Sequence, residues 1–90
     1  MRKKRKFAVD ASNFLGFIIH DAKGDDFVLC ADGGNDAIQR LYVPDPGNAQ
    51  RFASFELADD FLKRFGRPGW EVVSLHDLGD CFAVYRDFRP

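Results

Sequence analysis

No stretch of this chain approaches the roughly 20 consecutive apolar residues that a membrane-spanning helix requires. The run Phe14–Ile19 is short and broken by a glycine, so it does not make the core of a secretory signal either. Without such a leader the expected compartment is the cytoplasm. Cys30 and Cys81, the two cysteines, are then expected as reduced, small buried hydrophobes and not as a disulfide.

Ligating and nucleophilic residues are equally scarce. The spacings His20-x9-Cys30 and His76-x4-Cys81 match no zinc finger. A hairpin register that opposes His20 to Phe27 also sends His20 and Cys30 to opposite faces, so a four-ligand zinc site does not converge. His76 opposite Cys81 resembles a nucleophile pair. Such catalysis also needs an oxyanion hole and a group to orient the imidazole, and the candidates for the latter, Asp77 and Asp80, sit in the predicted turn, where carboxylates are usually solvated. Asp32, Asn35 and Asp36 lack the EF-hand order and its closing glutamate, and Gly33-Gly34 lacks the lysine of a phosphate loop. Asp25 and Asp26 lie at the other end of the same predicted strand and do not join them. No catalytic residue, metal site or cofactor is expected, and the chain reads as non-enzymatic.

Charge is balanced in total and uneven in place. The formal net charge is −1, yet Arg2, Lys3, Lys4, Arg5 and Lys6 supply five of the 13 basic residues. Setting those five aside leaves 8 basic against 14 acidic residues, a body charge of −6. Residues 1–6 therefore read as a flexible basic arm on an acidic body, and residues 7–90 as a single domain. The arm could neutralise phosphate on nucleic acid, whereas the body would repel it.

The clearest local signal is the helix after Ser54. Ala58, Phe61, Leu62 and Phe65 fall at i, i+3, i+4 and i+7, one apolar stripe. Ser54 suits the N-cap, and acidic residues precede basic ones as the macrodipole favours. Asp59–Lys63 and Asp60–Arg64 are i,i+4 pairs in the favourable order. Gly66 is expected at the left-handed C′ position, and Pro68 prevents the helix from restarting.

Strands account for the rest. Phe14–His20 and Phe27–Ala31 flank Asp21–Asp26 as a hairpin with Lys23-Gly24 at its tip, pairing His20·Phe27, Ile19·Val28, Ile18·Leu29 and Phe17·Cys30. Both faces of that hairpin are apolar, so it should be central or covered on both sides. Asp32–Asp36 reads as a turn and Pro44–Asn48 as a loop. Between them Ile38, Leu41 and Tyr42 suit a short helix, whereas Leu41-Tyr42-Val43 before a proline suits a third strand over Gln39–Val43, which is the preferred reading. Phe7–Asp10 fits either a strand or irregular chain. Trp70–His76 and Cys81–Phe88 form a second hairpin, with Leu75·Phe82, Val73·Val84 and Glu71·Arg86 on one face and His76·Cys81, Ser74·Ala83 and Val72·Tyr85 on the other.

The order β-β-β-α-β-β predicts an α+β domain: an antiparallel sheet of about five strands with one helix packed across one face. Ten phenylalanines exceed what one helix-on-sheet layer obviously absorbs. The surplus suggests a small interaction module, homodimeric through an uncovered face of the sheet, with an unidentified protein partner. The alternative is a nucleic-acid-associated accessory protein attached through Arg2, Lys3, Lys4, Arg5 and Lys6.

Overall fold

The computed structural model describes residues 12–33 and 38–88. The basic arm, Phe7–Asp10, Asn35 and Asp36 lie outside the described residues. Among the described residues, strands β1 (Phe14–Asp21), β2 (Asp26–Gly33), β3 (Ile38–Val43), β4 (Trp70–Asp77) and β5 (Phe82–Tyr85) accompany one α-helix, α1 (Phe55–Phe65). The strands form a single antiparallel sheet in the order β3-β2-β1-β4-β5. The expected α+β architecture is present, with the helix packed on the sheet. Gln39–Val43 is a strand, and Asp32 and Gly33 belong to β2, so the expected turn cannot begin before residue 34.

The central strand explains the layering. In β1, Phe17 and Ile19 join one cluster with Val28, Ala58, Trp70 and Val72, while Ile18 joins another with Phe27, Ala49, Val73 and Leu75. Alternation along a strand sends neighbours to opposite faces, so β1 supplies both. Burying each such side chain contributes about 1.5–3 kcal/mol. The first face is covered by α1. Ala58 is fully buried there, and Phe61, Leu62 and Phe65 pack against the cluster, which is the stripe read from the sequence. The Ser54 hydroxyl accepts the Leu57 N–H, and Asp59 pairs with Lys63. At the other end of the helix, the Arg40 Nε donates to the Phe65 carbonyl from β3 while its guanidinium lies over Trp70, so one side chain ties β3 to α1 and satisfies an orphan carbonyl.

Gly66 departs from expectation. Its φ is −70°, so the helix does not end on a left-handed residue. Glycine is needed there for space: its N–H bonds the Leu62 carbonyl, and a Cβ would overlap that oxygen.

The second face carries a lid of chain. After β3 a single 3-10 turn, Pro46–Asn48, is capped by Asp45, and the following Ala49 is buried among the second cluster. The chain then runs between β1 and β2. Gln50 N–H donates to Val28 O, and Phe17 and Phe52 exchange backbone bonds of 2.9 and 2.8 Å. This wedge corrects the first hairpin. His20↔Phe27 is paired as expected, but the β1–β2 ladder comprises only that pair and Asp21↔Asp26, and Phe17 pairs with Phe52 and not with Cys30. Gly16 makes the approach possible. Its φ is +142°, the β1–β4 register shifts beside it, and a Cβ would stand 3.1 Å from Phe52 O.

The second hairpin is also corrected. Its pairs are Ser74↔Tyr85, Leu75↔Val84, His76↔Ala83 and Asp77↔Phe82, two residues from the expected register. The four-residue turn Leu78–Cys81 is closed by Leu78 N–H on Cys81 O. A shift of two preserves which face each side chain takes, so the apolar pattern alone did not distinguish the registers.

Of Phe14, Phe17, Phe27, Phe52, Phe55, Phe61, Phe65, Phe82 and Phe88, only Phe82 is exposed, at 40%. The wedge takes Phe52 into contact with Phe61, and Phe14 gathers Phe17 and Phe88 beside β1. Most of the aromatic surplus is thus accommodated within one chain, and the face expected to be bare is covered in part by the Pro44–Arg51 loop.

Candidate functional site

The β1–β4 register places His20 opposite Glu71. Glu71 begins the face that also carries Val73 and Leu75, and Arg86 just beyond β5 reaches the same carboxylate. His20 Nδ1 lies 2.7 Å from Glu71 Oε2, His20 Nε2 lies 3.0 Å from Asp25 Oδ1, and Arg86 Nε donates to Glu71 Oε1 at 2.8 Å. Ionised carboxylates only accept, so both histidine bonds exist together only when both ring nitrogens carry hydrogen. The arrangement therefore holds an imidazolium.

The electrostatics agree with the geometry. Burial alone would lower the His20 pKa, but the bonds to Glu71 and Asp25 more than offset it and raise the pKa above its ordinary value. Burial would likewise raise Glu71, but hydrogen bonds from His20 and Arg86 hold it below the usual carboxylate range. The Asp25 side chain is 90% exposed, so its bond is the more solvent-screened of the two. Asp25 adopts φ +56°, a conformation that a short acidic side chain tolerates in a tight turn.

A groove of about 420 Å³ runs past this cluster, lined by His20, Glu71, Val73, Val84 and Arg86 among others. Its outer wall is β5, the edge strand. Phe82, Val84 and Tyr85 are 40%, 36% and 37% exposed, so three of the four β5 residues present apolar surface. A larger groove of about 610 Å³ beside α1, between Phe52, Leu57 and Phe61, is bordered by Asp60, Lys63 and Arg64 on the solvent side of the helix. The β5 region combines a strand edge, apolar side chains and a fixed charge cluster, and it is the better candidate.

The other histidine and the two cysteines are dispersed. His76 is fully buried on the opposite face of β4 from Glu71. Ser74 Oγ donates to Tyr85 O and so accepts from His76 Nε2, and His76 Nδ1 lies 3.2 Å from the Asn13 side-chain amide. Phe14, Tyr85 and Phe88 surround the ring. His76 pairs with Ala83, leaving Cys81 exposed in the turn, so the opposed Cys–His pair does not form and Cys81 is not a buried hydrophobe. Cys30 is half-buried. Among the described residues, no group of three or more His, Cys, Asp or Glu side chains is placed to hold a metal ion. Arg2, Lys3, Lys4, Arg5 and Lys6 lie outside the described residues.

The His20–Asp25–Glu71–Arg86 cluster was only half legible beforehand. Glu71 with Arg86 followed from the second hairpin, and Asp25 stood across the first hairpin's tip. The link between them is the β1–β4 adjacency, for which local pattern carries no signal. No family model matches the chain, and no curated protein or solved structure matches it.

Proposed function

We propose that this chain is a small non-enzymatic interaction module that works as a homodimer, with the β5 edge as the contact. The observation that carries the reading is the state of β5. Among the described residues it is an edge strand, it contains neither proline nor lysine, and it presents Phe82, Val84 and Tyr85. Apart from its shortness, β5 thus has none of the proline or lysine with which edge strands usually keep an open edge from recruiting another strand. The polar cluster beside it serves as a brace: the His20 nitrogens and both Glu71 oxygens are engaged with one another, Asp25 and Arg86.

Sedimentation equilibrium tests the proposal. A dimer mass is expected at tens of micromolar, and Val84→Lys, which adds a charge to the edge without entering the core, is expected to give monomer. A wild-type chain that stays monomeric at high micromolar concentration overturns the reading.

A further inference from the structure

We infer that β5 pairs antiparallel with β5 of a second copy in a register centred on Ala83, joining two five-stranded sheets edge to edge. The inference rests on the self-association reading and adds the geometry of the contact. A two-fold axis perpendicular to a sheet passes through a residue pair, because the pleat alternates from one residue to the next. Each allowed register is therefore centred on one residue, and opposed side chains share a face.

Few choices remain along so short a strand. Centring on Phe82 sets Val84 against Asp80 of the second copy and leaves apolar surface against a carboxylate. Centring on Val84 sets Phe82 against Arg86 and strands Asp80 beyond the apolar contact. Centring on Ala83 sets Phe82 against Val84 twice and Asp80 against Arg86 twice. Of these three registers it alone matches apolar with apolar within the strands and brings the acid of the turn before β5 to the end of the contact where the base just beyond β5 stands. The partners are available: Asp80 is exposed, and the Arg86 side chain is 69% exposed. The bond from Arg86 to Glu71 uses Nε, which leaves the rest of the guanidinium to meet a second carboxylate. Glu71 and His20 thus hold in place the cation that the second copy's acid would face.

The other edge fits less well. β3 is followed at once by Pro44, which has no N–H, and its Arg40 is committed to Phe65 and Trp70. A second β5 also closes the contact into a dimer, whereas β5 on β3 would propagate as a fibre.

Disulfide trapping tests the register. In a Cys30→Ala, Cys81→Ser background, Ala83→Cys places two thiols on the proposed axis, where opposed Cα atoms are about 4.5–5.5 Å apart and within disulfide reach. Mild oxidation is expected to convert most of the chain to covalent dimer, at least tenfold faster than Ala53→Cys, a control at an exposed position outside β5. Asp80→Arg is expected to weaken the non-covalent dimer at least tenfold at low salt and by less at high salt. A dimer by sedimentation whose Ala83→Cys form does not crosslink faster than the control overturns the register and leaves self-association standing. A monomer overturns both. Circular dichroism on each variant confirms that the fold is retained in the comparison.

Discussion

Replacing Glu71 by Gln isolates the brace without changing its shape. An amide offers one acceptor oxygen, so one of the two donors that Glu71 satisfies would face an N–H group instead. Hydrogen bonds to charged groups are worth about 1.5–3 kcal/mol. His20 and Glu71 are 15% and 26% exposed at their side chains, so the low end of that range, about 1.5 kcal/mol, suits their bond. The Arg86 side chain is 69% exposed, and an ion pair of that kind adds no more than about 0.5 kcal/mol. The expected loss at pH 6 is about 1.5–2 kcal/mol, at about 4–8 °C of melting temperature per kcal/mol for a chain of this size. The loss is also pH-dependent. A raised His20 pKa contributes stability that is complete below about 6.5, its unfolded value, and is lost as pH rises through the folded value. A lowered Glu71 pKa contributes stability present above about 4.5 and lost as pH falls through its folded value. Wild type should thus be most stable between roughly pH 5 and 6.5, and Glu71→Gln should flatten both shoulders. Urea titrations from pH 4 to 9, run at a protein concentration low enough that both proteins sediment as monomers, read the effect without a contribution from dimerisation. A difference below about 0.5 kcal/mol at pH 6, or one that stays constant up to pH 9, would refute the charged bridge.

Three further outcomes are expected. Phe61→Ala removes a half-buried ring that touches Phe52 and Phe65 at centroid distances of 5.1 and 5.0 Å, and should cost about 2–3 kcal/mol in a denaturant titration, below the value for full burial. Gly47→Ala places a Cβ 2.6 Å from the Phe82 ring, and should cost about 1 kcal/mol as that exposed ring swings aside, read as a lower thermal midpoint. Deleting Arg2–Lys6 should leave the melting temperature unchanged. If the five cations meet phosphate, the intact chain should bind duplex DNA with a log–log salt slope near about −4.5, and the deletion should abolish that binding.

Legibility followed the range of the physical signal. The helix was read nearly to the residue because capping, apolar spacing and i,i+4 charge order all act within a few positions. The difference lies in the residue that follows it. Gly66 is required by the Leu62 carbonyl, a close approach that the sequence expresses with the same residue as a left-handed cap. Strand existence is legible from apolar runs, except at β3, where the spacing of Ile38, Leu41 and Tyr42 suits a helix as well and only the three apolar residues before Pro44 favour a strand. Register was legible only modulo two. Moving the second hairpin by two residues keeps Leu75 with Val84 and Val73 on one face and merely exchanges neighbours, so the burial pattern scores both alignments alike.

The wedge of Gln50–Phe52 was the least legible feature, and it decides where the aromatic rings go. The segment Gln50-Arg51-Phe52 has no strand periodicity, and its two backbone bonds to Phe17 and one to Val28 are set by tertiary approach alone. Once it is in place, Phe52 meets Phe61 beneath the helix and Ala49 fills the second face. A count of phenylalanines therefore overstated the surface left for a partner. What remains is four residues long. On a strand that short, two opposed Phe82–Val84 contacts would bury little area and hold a weak dimer by themselves. Paired backbone edges and the two Asp80–Arg86 contacts would have to supply the remainder, so dimer affinity should fall as ionic strength rises.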